Sequence, residues 1–358
     1  MVELAEIFRR HWPAYEQKYG SRLLPSHRRA VSAILHCRTQ ALGGHLYRCE
    51  PCALDHYVYH SCNHRACPKC GHQQATAWIQ KQKAYLLPAA YFLVTFTVPA
   101  QLRRFFRSAQ KFWYEFLFRQ SSGTLADVAS RQKYLGGQLG MMGILQTWTR
   151  DLRYHPHVHY LVPGIGLSLD GHRCVRTGSA DYLLPEKVLA ARFRNRFRRH
   201  LSHHHPELFK AIPAKVWKLQ WVVDVLAVGS GEAALKYLSA YTYKTAITGQ
   251  RLLASDEHSV SFRYRDADTG QWQTCQLPGE RFMHRFLQHI LPRGFQRVRY
   301  YGWRSPAAHQ RWEKILGLLS WKPPLPSKPP PLGPQQCPRC AGPMTWLGRL
   351  PRVYLNSS

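Results

Sequence analysis

Apolar side chains at the start of the chain recur with the period of a helix. Leu4, Ile7, Phe8, Trp12 and Tyr15 share one face of a helix over residues 2 to 19. A second helix is expected over about 25 to 37. Tyr57-Val58-Tyr59 alternates like one strand of a small hairpin, and a helix over 73 to 87 runs up to Pro88. The pattern then changes. Tyr91 to Val98 is a continuous β-branched and aromatic run stopped by Pro99, as a buried strand would be. An amphipathic helix over 101 to 119 carries Leu102, Phe105, Phe106, Phe112, Trp113 and Phe116. Strands over about 141 to 149 and 155 to 162 flank the polar Arg150-Asp151-Leu152-Arg153, which predicts a hairpin. A helix over 186 to 201, a strand from Trp217 to Val228, a turn at Gly229-Ser230-Gly231 and a helix opening near Glu232 follow. Another hairpin turns around Asp268-Thr269-Gly270, and helices are expected over 280 to 290 and 306 to 319. Lys322 to Pro334 reads as an extended Pro-rich linker. These shifts divide the chain at about residues 88, 265 and 320.

Charge narrows what such a chain does. Fifty Lys and Arg residues face 20 Asp and Glu, a formal charge of +30 over 358 residues. That imbalance is costly in self-repulsion unless a polyanion is the working partner. Nucleic acid fits best, because the 13% of aromatic residues suits stacking on bases. A membrane surface is the alternative. No apolar run approaches the roughly 20 residues that span a bilayer, and the stretch from Met1 to Arg10 lacks the apolar core of a signal peptide. The expected location is the cytoplasm, in association with the nucleoid. No GxxxxGK[ST] loop is present, so no nucleotide cofactor is expected.

Six of the ten cysteines lie between Cys37 and Cys70. In a reducing compartment such clustering favours metal over disulfides. The knuckles Cys49-Glu50-Pro51-Cys52 and Cys67-Pro68-Lys69-Cys70 predict one structural zinc held by Cys49, Cys52, Cys67 and Cys70. A second zinc could draw on Cys37, His45, Cys62 and a further histidine. Cys337-Pro338-Arg339-Cys340 is a knuckle without a partner nearby, so it either borrows a distant ligand or binds nothing. Around the knuckles, Arg65 and Lys69 suggest contact with DNA; a purely architectural zinc clip is the competing reading.

The middle of the chain carries His155-Pro156-His157-Val158-His159. Alternation along a strand projects His157 and His159 from one face, which is one way to hold a metal ion. Chance pairing among 20 histidines is the bland explanation. Arg192, Arg196 and Arg199 recur at helical spacing and are either a solvated face or a row of phosphate contacts. Tyr237 and Tyr241 are four apart on a helix, with Lys244 one turn further on.

Several blocks, taken together and in order, resemble a known family. They are His36-Cys37-Arg38-Thr39, Ala41-Leu42-Gly43-Gly44-His45, Ala66-Cys67-Pro68-Lys69-Cys70, Gln146-Thr147-Trp148 before the histidines, Tyr237-Leu238-Ser239-Ala240-Tyr241-Thr242, Ala246-Ile247-Thr248 with Arg251-Leu252-Leu253, and Phe295 to Gly302. The chain resembles the two-tyrosine rolling-circle transposases of bacterial insertion sequences, relatives of the Helitron transposases in the HUH endonuclease superfamily. It departs at Ala66, where that family often has a histidine, and at Thr149, where glycine is common.

The resemblance implies an α+β fold with a central antiparallel, RRM-like sheet flanked by helices. It implies a zinc-knuckle DNA-binding domain over 1–88, an HUH endonuclease domain over 89–265, a strand and helix extension over 266–320, and a linker and CxxC tail over 321–358. It also implies that His157 and His159 bind a catalytic divalent metal with a third ligand. Gln146 is preferred for that place and Asp151 is the alternative, with His155 left as a turn residue. Two nitrogens with oxygens suit Mg²⁺ or Mn²⁺. Tyr237 and Tyr241 would be the nucleophiles, assisted by Lys244, and cleavage would leave a 5′-phosphotyrosine on single-stranded DNA. The partners implied are the element's ends and target DNA. Competing readings are a plasmid- or phage-type rolling-circle initiator or relaxase, and a non-catalytic zinc DNA-binding protein.

Overall fold

The computed structural model describes residues 2–70, 72–243, 246–324 and 334–353, and for 72–74, 237 and 239–243 the backbone alone. The first part is α1 (Leu4–Tyr19), α2 (Pro25–Leu35), the hairpin β1 (Gly44–Cys49) and β2 (Leu54–Tyr59), and α3 (His72–Lys83). The middle runs β3 (Tyr91–Thr97), α4 (Arg103–Ser108), α5 (Gln110–Ala129), β4 (Gly137–Trp148), β5 (Tyr154–Pro163), β6 (Ile165–Ser168) and β7 (Cys174–Arg176). Then come α6 (Glu186–His204), α7 (Pro206–Ala211), β8 (Val222–Ala227) and α8 (Gly231–Tyr243). The rest is β9 (Leu252–Ser255), β10 (Ser259–Arg265), β11 (Trp272–Pro278), α9 (Gly279–Leu287), β12 (Val298–Gly302), α10 (His309–Leu318) and β13 (Thr345–Leu350).

The expected α+β architecture is present. A seven-stranded antiparallel sheet runs in the order β7-β6-β4-β5-β3-β8, and β12 also pairs with β4. One face is sealed by α5 and α6. Phe92, Val94, Phe96, Leu145, Val158, Tyr160 and Val162 meet Trp113, Tyr114, Leu117, Phe193 and Phe197 in the largest core. The other face is covered only in part, by α8.

Two smaller units attach to this sheet. β9, β10 and β11 form an antiparallel sheet that packs with α9 against α1 and α2. Phe8 meets Phe286 edge-on at 5.2 Å between ring centroids. The divisions expected at 88 and 265 therefore do not separate independent cores: β10 pairs with β11 across residue 265, and the N-terminal helices bury their apolar stripe on residues 246 to 290. The third sheet is β13-β1-β2, in which the end of the chain joins the N-terminal hairpin.

The helix expected over 101 to 119 is broken. Ala109 adopts φ −142 and ψ 64, and α5 then continues to Ala129. Its last turns are polar yet buried. The Ser121, Ser122 and Thr124 hydroxyls each donate to a carbonyl one turn back at 2.7 Å. Satisfied in this way, they pack like small apolar groups, which is why composition alone stopped the helix short.

Phe197 is fully buried among the rings of Trp113, Phe116, Phe193 and Trp221. Phe197→Ala should cost about 3–5 kcal/mol, read as a lower urea midpoint than wild type; a change under about 1 kcal/mol would show that α6 does not depend on this contact.

Candidate metal and strand-cleavage site

Register decides which side chains meet on the open sheet face. β5 lies between β3 and β4, with Thr97 and Gln146 opposite His157, and Thr95 and Ile144 opposite His159. Side chains on one face alternate along each strand. The face therefore divides along its length. Tyr91, Leu93, Met142, Ile144 and Leu161 form an apolar half, which Ala234, Leu235 and Leu238 of α8 cover. Thr95, Thr97, Gln146, His157 and His159 form a polar half at the edge of a cleft of about 580 Å³.

The two imidazoles sit 4.7 Å apart between centroids, at 82°, and are 7% and 8% exposed. His157 Nδ1 donates to the His155 carbonyl at 2.7 Å, which leaves Nε2 with its lone pair. His159 Nε2 is 3.1 Å from Gln146 Oε1, and its Nδ1 is 2.9 Å from Thr95 Oγ1. A hydroxyl both donates and accepts, so Thr95 serves either tautomer of His159. Gln146 Nε2 donates to the Trp148 carbonyl at 3.0 Å, which turns Oε1 toward the histidine. Burial, then the neighbouring histidines, drives His157 well below its ordinary value. Burial also brings His159 down to about 4. Both rings are thus neutral near pH 7. Two ligands at about 2.1 Å and a right angle on an octahedral ion lie about 3 Å apart, and the spacing of His159 Nε2 and Gln146 Oε1 fits that edge. A nitrogen, nitrogen, oxygen donor set suits a hard or borderline divalent cation.

Asp151 sits in the hairpin turn, bonded to the Thr149 hydroxyl and 2.6 Å from Arg153 Nε, so its carboxylate is already engaged. His155 departs from expectation. It lies within β5 on the histidine face, 5.0 Å from His157, and Arg103 donates to its Nδ1 at 2.7 Å. Burial, then Arg103, lowers it to about 4.

The turn that aims β5 is held by His289 and Arg285, which the sequence did not single out, and by Arg251, which it marked only as part of a family block. His289 Nε2 donates to the Leu152 carbonyl at 3.2 Å, and Leu152 has φ +65. Arg285 donates to the Asp151 carbonyl at 3.0 Å, and Arg251 donates to that of Arg150. Exposed Arg150, Arg153 and Arg265 rim the cleft. Among 50 cationic residues nothing in the pattern marked these.

Helix α8 carries residues 237 and 241, whose side chains lie outside the described residues, as does Lys244 altogether. The chain leaving α8 is informative nonetheless. Ala246 and Thr248, a few residues beyond α8 in sequence, line the same cleft as His157, His159 and Gln146.

The cysteines regroup. The four sulfurs of Cys37, Cys62, Cys67 and Cys70 lie within 4.8 Å of one another, and so do those of Cys49, Cys52, Cys337 and Cys340. The expected set of Cys49, Cys52, Cys67 and Cys70 is corrected, because the β1–β2 hairpin separates its halves. Cys49 and Cys52 are at the tip, whereas Cys37 and Cys62 flank the base. Five strand steps at about 3.3 Å put about 16 Å between them. His45 belongs to neither group; its Nδ1 accepts from Trp346 Nε1 at 3.3 Å. In the first cluster Cys37 and Cys62 stand 3.5 and 3.6 Å from Cys70, near the roughly 3.8 Å edge of a zinc–thiolate tetrahedron. The Cys67 thiol donating to Cys62 holds it down to about 5, while burial raises Cys37 to about 11.

The expected DNA contacts are also redistributed. Arg65 is spent on the carbonyls of Leu291, Pro292 and Phe295, at 3.3, 2.7 and 2.8 Å, and Lys69 pairs with Glu3 at 2.6 Å. Both fasten the zinc lobe to the body. Arg192, Arg196 and Arg199 line a separate cleft on α6, on the far side of the sheet from the histidines, and Arg196 is paired with Asp127.

No helix among the described residues is long and apolar enough to cross a membrane. Residues 140–311 match the family described as "Putative transposase", and residues 7–98 match "Transposase zinc-binding domain". The first four-thiol cluster lies wholly inside the latter and supplies it with a tetrahedral zinc ligand set. "Putative transposase y4qJ" of Sinorhizobium fredii (strain NBRC 101917 / NGR234) is 34% identical over 345 residues, which cover 91% of this chain and 86% of that protein. The transposase for insertion sequence element IS801 of Pseudomonas savastanoi pv. phaseolicola is 28% identical over 291 residues, 76% of this chain and 68% of that one. No solved structure matches significantly. On this sequence identity and coverage, the chain belongs to the transposase family.

Proposed function

We propose that the protein is a rolling-circle transposase that cuts single-stranded DNA with a tyrosine of α8, beside a metal held by His157, His159 and Gln146. The observation that carries the reading is the shared sheet face: α8 lies on the same face as the three donors, and the chain leaving it enters their cleft. The relative named for an insertion sequence element supports the ends of a mobile element, and target DNA, as substrates. The charge of +30 supports a polyanionic partner.

A divalent ion bound there, Mg²⁺ or Mn²⁺, supplies Lewis acidity at the scissile phosphate. The phenol of Tyr237 or Tyr241 attacks phosphorus. Its O–P bond forms as the bond to the 3′ oxygen breaks, the phenolic proton is lost, and the 3′ oxygen leaves as a hydroxyl. An ordinary phenol has a pKa near 10, and the charge of Lys244 favours the phenolate. Arg150, Arg153 and Arg265 draw the backbone to the cleft. The product is a 5′-phosphotyrosine, which keeps the energy of the cleaved bond, so strand transfer needs no ATP. The second tyrosine permits a second cleavage before the first is resolved.

With Mn²⁺ and labelled single-stranded element ends, wild type should form a denaturant-stable protein–DNA adduct. His157→Ala should lower its yield about 100-fold or more and Gln146→Ala about 10- to 100-fold, while Tyr237→Phe with Tyr241→Phe should abolish it. Adduct persisting in the double tyrosine variant would refute the assigned nucleophiles.

The buried histidines also set an acid limit. His289 is lowered to about 4 by burial, against an ordinary 6.5. The unfolded chain therefore takes up the proton first. The stability this contributes is complete above pH 6.5 and is lost as pH falls toward 4, up to about 3 kcal/mol. His289→Gln, whose amide can still donate to Leu152, should show a shallower fall in melting temperature between pH 6.5 and 4.5 than wild type. Equal slopes would contradict this origin of acid sensitivity.

A further inference from the structure

Cys49 and Cys52 need partners that the N-terminal domain does not offer. Within it, Cys37, Cys62, Cys67 and Cys70 already form a closed set of four. The partners come from the other end of the chain. Cys337 and Cys340 reach the tip of the β1–β2 hairpin, and Cys340 Sγ stands 3.6 Å from Cys49 Sγ. The matched zinc-binding domain ends at residue 98, far before either.

Three observations show a built site. First, half of the group is buried: Cys49 is fully buried and Cys337 is 3% exposed, with Met344, Tyr47 and Leu54 packed around them, while Cys52 is half-buried and Cys340 closes the group from the exposed side. Second, the two knuckles share an unusual backbone. The residue after the last cysteine is left-handed in both, Ala53 at φ +47 and Ala341 at φ +58. Alanine rarely adopts this conformation. Third, the Arg339 N–H points at Cys337 Sγ at 3.4 Å, as the His64 N–H points at Cys62 Sγ at 3.5 Å in the first cluster. Backbone donors of this kind orient a thiolate on a metal. Four sulfurs and no oxygen donor select a thiophilic cation.

We propose that Cys49, Cys52, Cys337 and Cys340 form a second structural zinc site, which clasps the C-terminal tail onto the N-terminal hairpin. The clasp sets the register of β13 on β1, where Gly44 faces Leu350 and Arg48 faces Thr345. It fastens the tail after the Pro-rich segment, whose near end is anchored by Trp321 Nε1 donating to the Leu86 carbonyl at 3.1 Å. The zinc lobe is therefore completed only once residues 337 to 350 are in place.

The test is the zinc content of the purified full-length protein by elemental mass spectrometry, with thiols counted in parallel. Wild type should hold two zinc ions per chain. Cys337→Ser with Cys340→Ser should hold one, Cys49→Ser with Cys52→Ser should hold one, and all four together should still hold one, because both pairs serve the same ion. If either serine pair empties both sites, Cys340→His, which keeps a zinc ligand in place, should restore two. One zinc in wild type, two in the tail variant, a disulfide among these four cysteines, or failure of that restoration would overturn the proposal.

Discussion

The placement of β5 between β3 and β4 is the constraint on which the rest of the site depends. Val158, Tyr160 and Val162 are fully buried on the helix-covered face, and Tyr160 hydroxyl is 2.7 Å from Ser121 Oγ. A slip of one residue would exchange this set with His157, His159 and Leu161. It would bury two imidazoles under α5 and expose a tyrosine. The large core thus fixes the histidines without touching them, and the same register brings Gln146 opposite His157.

The open face shows how the fold makes room for chemistry. Its apolar half is closed by α8, so the helix is held by ordinary burial of Ala234, Leu235 and Leu238. Its polar half instead forms the buried floor of a cleft, whose other walls come from Ala246, Thr248 and the β10–β11 turn. The turn that leads into β5 is fastened from a third direction by Arg285 of α9 and by His289 just beyond it. As α9 also packs on α1, the zinc lobe and the histidine strand share one mechanical frame. Arg65 adds three carbonyl contacts to the same junction. A chain bearing so many arginines uses several of them as internal ties, and a cationic residue near a knuckle is not by that fact a DNA contact.

What the sequence could reveal follows from how local the signals are. β3 and β5 announce themselves by β-branched runs, and α6 by Phe193, Phe197 and Leu201 at helical spacing. That His157 and His159 share one face could be read from strand alternation, which is local; Gln146 entered through the family resemblance. The cysteine grouping was not, because CxxC spacing says how two thiolates present themselves and nothing about which knuckle they meet. The six-residue strands of the hairpin decide that, and the partner of Cys49 lies 291 residues away. β13 was hidden for the same reason: Thr345 to Leu350 is half exposed and becomes a strand only against β1. His155 was read as a turn because Pro156 follows it, yet Pro156 is accommodated within β5.

The central claim is that a tyrosine of α8 becomes covalently joined to DNA at the cleft of His157 and His159. It is tested most directly by locating the adduct. Wild-type protein is reacted with single-stranded element ends and Mn²⁺, then digested with nuclease and trypsin and fragmented in a mass spectrometer. The account predicts a nucleotide on the peptide Tyr237–Lys244, attached at Tyr237 or Tyr241. A nucleotide found on Tyr243, or on any residue outside this peptide, would contradict it.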